Sequence, residues 1–97
     1  FGNLSVEPPQ GNHPRHPLLM AEVDEDSAAL KRDTLTVIAE RGPAQGTQVQ
    51  FSNFSLIEDR QTHQLELLLT TYGQERNPAD WATADCWSYR VTLRPAR

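Results

Sequence analysis

Paired cysteines are missing from this chain. Cys86 stands alone, so no intrachain disulfide can form. A structural zinc site needs several convergent ligands, and one Cys with three scattered His supplies no such motif. Long apolar runs are missing too, and none approaches the ~18–20 residues of a membrane helix. The five glycines fall in neither of the spacings that cradle phosphates, the P-loop and GxGxxG. Cations are scarce: nine Lys and Arg stand against thirteen Asp and Glu, a net charge of −4. Phosphate binding needs clustered cations, so nucleic acid is not an expected partner. Apolar residues make up 37 % of the 97 residues, which supports one modest core in a single small domain.

Strand patterning is what the chain does have. Trp87, Tyr89, Val91 and Leu93 alternate with Ser88, Arg90, Thr92 and Arg94, the period of a strand with one buried and one wet face. Leu65, Leu67, Leu69 and Thr71 repeat the alternation. Thr34–Glu40 is β-branched and reads as a strand. Thr47–Ile57 reads as another whose phase slips: Val49 and Phe51 share one face, Phe54 and Leu56 the other. A one-residue slip reverses facing, so either Ser52-Asn53 marks a bulge or bend, or the strand is buried on both faces. Leu18–Val23 is a further short apolar run, either a first strand or the lead into a helix. Asp24–Ser27 followed by Ala28–Arg32 matches a helix dipole and predicts a short helix near 26–32, with a charged loop between strands as the alternative. Asn77-Pro78 predicts a helical turn that sets Trp81 over the sheet.

These elements predict a mainly β fold: an antiparallel meander or small β-sandwich of four to six strands, with at most one or two short helices. Residues 1–17 hold four of the seven prolines and read as an extended Pro-rich segment or linker, or as an edge strand. Residues 18–97 form the β-rich domain.

Candidate sites are few. His13, His16 and Met20 offer imidazole and thioether donors suited to a soft metal. Trp81 and Trp87 could form an aromatic platform. Cys86 with His63 could be drawn as a nucleophile and base, but nothing places His63 near it, and Cys86 reads as a half-buried inert thiol. Asp24, Glu25 and Asp26 lack the glycine of a calcium loop and read as a solvated turn. Two Asn-x-Ser triplets occur, at Asn3 and Asn53. Arg90, Thr92 and Arg94 make the best-defined polar row.

The absence of a catalytic motif, the Pro-rich spacer and the start at Phe1 rather than Met point to a non-enzymatic extracytoplasmic β domain. It is expected to be bacterial, periplasmic or secreted, and to work through protein–protein contacts. An assembly subunit and an inhibitor or immunity-type lipoprotein both fit. Its partner would be another protein, met by edge-strand addition or through Arg90, Thr92 and Arg94. Catalytic, cofactor-binding and metal residues are expected to be none. Membrane association would run only through a removed N-terminal anchor. The competing expectation is a small-ligand or metal module using His13, His16 and Met20 or the Trp81/Trp87 surface.

Overall fold

In the computed structural model, residues 1–46, 49–72 and 85–94 are described. The phase slip in the fourth apolar block organises the larger sheet. β6 (Gln50–Phe51) pairs with the far end of β8 (Leu65–Tyr72), Gln50 opposite Tyr72 and Phe51 opposite Thr71. β7 (Ser55–Glu58) pairs with the near end, from Ser55 opposite Leu68 to Glu58 opposite Leu65. The two registers differ by one residue, so β6 and β7 are one bulged strand along one side of β8. Asn53 absorbs the extra residue with a positive φ of 56°. Asn is among the few non-glycine residues that adopt this conformation readily.

β9 (Cys86–Val91) takes the other side of β8, antiparallel, from Thr70 opposite Cys86 to Leu65 opposite Val91. The expected meander is thus present in the second half of the chain. β7 and β8 are joined by a tight loop in which Asp59 N–H donates to Gln64 O and His63 N–H to Asp59 O. The Asp59 carboxylate accepts from the Gln61 backbone at 2.8 Å.

The first half builds a separate sheet. β1 (Gly2–Asn3) pairs with β2 (Leu18–Met20), and β2 pairs with β5 (Thr36–Ala39). β5 therefore pairs backward with β2, not forward into the meander. Within the Pro-rich segment, Gly2–Asn3 form an edge strand of this sheet.

β3 (Val23–Asp24) and β4 (Ala29–Leu30) make a small hairpin where a helix near 26–32 was expected. The cap residue does cap: Asp24 Oδ1 accepts from both the backbone and the hydroxyl of Ser27. The turn then ends at Ala28 with φ 55°, which stops a right-handed helix and returns the chain to pair with Val23. Only a single 3₁₀ turn, Arg32–Thr34, follows. The helical turn expected at Asn77–Trp81 lies outside the described residues.

One core serves both sheets. Leu18 of β2, Val49 before β6, Phe51 of β6 and Leu67 and Leu69 of β8 are buried. Phe1, Ile38, Ala39, Phe54 and Tyr89 pack around them, with the Phe1 and Phe54 rings 6.0 Å apart. The β8 alternation is borne out: Leu67, Leu69 and Thr71 face inward, while Glu66 faces water. The β9 alternation is weaker than expected. Tyr89 and Val91 are half-buried, but Trp87 keeps 51 % of its surface and Leu93 59 %. β9 is an outer strand, and it ends at Val91, before Leu93.

Polar seams join the sheets. Phe51 N–H donates to Arg15 O at 2.8 Å. Asn3 Nδ2 donates to Phe51 O at 2.9 Å and to Pro17 O at 3.0 Å. Both amide hydrogens of Asn3 are thereby used, which leaves this Asn-x-Ser triplet without a free acceptor nitrogen in the folded chain.

Two stability predictions follow from these contacts. Asn3→Ala leaves two half-buried carbonyls without donors and should cost about 2 kcal/mol in urea unfolding; Asn3→Asp, which cannot donate, should not recover it. At the bulge, Asn53→Val should cost roughly 1–2 kcal/mol while Asn53→Gly changes stability little, since only glycine takes positive φ freely.

Candidate functional site: an open strand edge and its surroundings

The outer edge of the bulged strand is treated in two ways. At β6 it is covered: Phe51 directs its N–H to Arg15 and its C=O to Asn3. At β7, among the described residues, Ser55–Glu58 has β8 as its only strand partner. All four residues are exposed, with Leu56 keeping 42 % and Ile57 53 % of their surface. Residues of a strand alternate between faces. Leu56 therefore lies on the core side, opposite Leu67, and Ile57 on the wet side, opposite Glu66. Such an edge presents unpaired backbone donors and acceptors in strand geometry.

The polar row has a different setting. Arg90 lies directly across from Glu66, whose carboxylate accepts from the Ser88 hydroxyl at 3.0 Å. Thr92 and Arg94 follow the end of β9. They line a hollow of about 430 Å³ with Phe1, Met20, Glu22 and Leu65. The three residues are exposed but belong to two neighbourhoods, because the strand stops at Val91. Sequence alternation found the row and could not find where the strand ends.

The proposed metal donors have separate surroundings. Gln50 Nε2 lies 3.4 Å from both ring nitrogens of His13. His16 turns Nε2 inward, where it has no hydrogen-bond partner. Met20 lines the hollow beside Thr92 and Arg94. Among the described residues no group of three His, Cys, Asp or Glu side chains is placed to hold a metal ion. Trp81 lies outside the described residues. Trp87, opposite Leu69, lines a second hollow with Ile38, Phe51 and Tyr89.

Cys86 is exposed, not half-buried as expected, because it sits on the outer strand. Its partner is Thr70, and His63 precedes that position by seven residues. At ~3.3 Å per residue the two are roughly 20 Å apart, too far for proton transfer. His63 Nδ1 instead lies 3.0 Å from Glu58 Oε1. No described helix is long and apolar enough to cross a membrane.

Sequence reasoning missed the seam around His16. Burial holds its imidazole below the ordinary value of 6.5, and the nearby Arg41 guanidinium acts the same way, while Glu7 and Glu40 pull upward. Arg41 is itself held by a hydrogen bond from Nε to Val49 O at 2.8 Å. The carboxyls of Asp24 and Asp59 are lowered, chiefly by backbone N–H donors from Ser27 and Gln61.

Comparison with protein-family models, with curated proteins and with solved structures finds no match to this chain.

A lowered histidine pKa has a defined sign. The unfolded chain binds the proton more readily below about pH 6.5, so folding stability falls as pH drops through that value and levels off below the folded pKa. The urea midpoint should therefore decrease from pH 7 to pH 5, above the range in which carboxylates titrate. His16→Gln should flatten that slope; a slope unchanged by the substitution would remove His16 as its source.

Proposed function

We propose that this chain is a non-enzymatic extracytoplasmic β domain that works by protein–protein contact, and that its contact element is the open edge of β7. The observation that carries this is the contrast along one strand. Where the edge passes β6, the chain caps it with its own Arg15 carbonyl and Asn3 amide. Five and six residues beyond Phe51, the same edge is exposed and apolar at Leu56 and Ile57. Natural sheets shield such edges with charge, proline or a covering element. An incoming strand would gain main-chain hydrogen bonds and lay alternate side chains beside Leu56 and Ile57.

An assembly subunit and an inhibitor or immunity-type periplasmic protein both suit a domain of this kind. The extracytoplasmic compartment rests on the Pro-rich leading segment alone.

Strand addition and a polar-face contact separate by mutation. Ile57→Lys, which places charge at the edge, should reduce co-isolation of the native partner at least about tenfold. Arg90→Glu with Arg94→Glu should leave it nearly unchanged. The opposite pattern would assign the contact to the polar row, and indifference to both sets would remove both surfaces.

A further inference from the structure

A second surface lies on the other sheet. The large apolar side chains that the described residues leave in water are not evenly scattered. Leu4, Val23, Leu30 and Leu35, each 40–51 % exposed, ring a single hollow together with Leu19 and Ala21. No polar side chain lines it, and its volume is about 120 Å³. That is near the size of cavities that accept one benzene ring. Clustered apolar exposure of this sort marks a recognition surface more than chance does.

The segment that contributes one side of the hollow is acidic. Val23 and Leu30 come from the β3–β4 hairpin, and Leu35 follows it. The run from Glu22 to Asp33 contains five acids and two cations, a net charge of −3 out of −4 for the chain. One of the cations, Lys31, is already held by Glu22 at 3.3 Å. Glu25, Asp26 and Asp33 are exposed, and none of them is in an ion pair among the described residues.

From these two features we infer that the hollow docks a partner-protein segment that inserts one bulky apolar side chain and flanks it with Lys or Arg. The hollow supplies an apolar socket that an inserted side chain would desolvate, as hot-spot residues require. The acidic hairpin supplies steering and rejects anionic sequences. A second copy of this chain is the competing occupant.

Fluorescence anisotropy on the full chain tests this with labelled synthetic hexapeptides. The probe is Arg-Arg-Leu-Phe-Arg-Arg. Its comparators are the same peptide with Glu for every Arg and the same peptide with Ser for Leu and Phe. The cationic apolar probe should saturate below about 1 mM, at least about tenfold tighter than either comparator, and should weaken with salt. Leu30→Glu should lose that binding.

Glu25→Lys and Asp26→Lys lie in an exposed turn and leave the socket intact; each should cost roughly two- to fivefold. Ile57→Lys should leave the probe's affinity unchanged, which separates this surface from the β7 edge. Equal affinity for the cationic and anionic peptides, or binding indifferent to both Leu30→Glu and the turn variants, would overturn the proposal. So would self-association in sedimentation that Leu30→Glu alone abolishes, since the second copy would then be the occupant.

Discussion

The backbone of Phe51 holds the two sheets together. Its side chain is buried with Leu18, Leu67 and Leu69, while its N–H and C=O turn away from β8 toward Arg15 and Asn3. A buried backbone group without a partner costs about as much as a lost hydrogen bond. The N-terminal segment therefore has to lie where it does, or Phe51 cannot be buried. Once Arg15 and Pro17 are fixed there, Leu18 enters the core and β2 is placed for β1 and β5. Asn3 closes the arrangement by bridging Pro17 and Phe51 with one amide.

The same constraint explains the uneven edge. The N-terminal segment covers the bulged strand only at β6, because the bulge at Asn53 turns the rest of the strand onward. Among the described residues, no strand covers the outer edge of β7. Among the described residues the core is correspondingly small, with five buried apolar residues, and much apolar surface stays wet. A net stability of 5–15 kcal/mol is usual for a domain of this class, so the loss of a single seam contact takes a large fraction of it.

Local patterns in the sequence foretold the local structure. The exchange of faces between Phe51 and Phe54 announced the bulge, and the β8 alternation announced its buried row, since both depend only on the period of a strand. Pairing did not follow in the same way. Nothing in Thr34–Glu40 distinguishes a partner at Leu18–Met20 from one at Gln50–Phe51, because that choice is made by long-range contacts. The hairpin at Asp24–Ala29 was hidden for another reason: Asp, Ser and Ala suit a helix start, and the left-handed Ala28 that ends the turn runs against alanine's preference. The candidate edge was invisible for a related cause. Leu56 and Ile57 read as core in a chain where apolar alternation means burial, and only the strand order shows that β7 is outermost.

Ile57 lies across from Glu66, and Glu66 lies across from Arg90, so this face carries polar and charged groups on β8 and β9 and an isoleucine on β7. If β7 were merely a solvated edge, a charge at position 57 would serve solubility better and block unwanted pairing. An isoleucine there gains nothing in water. On the proposed reading it gains where a neighbouring strand lays a side chain beside it, and the same strand would pair the backbone groups of Ser55–Glu58 on the side that no described strand covers. One added strand would thus account for the isoleucine and the edge together.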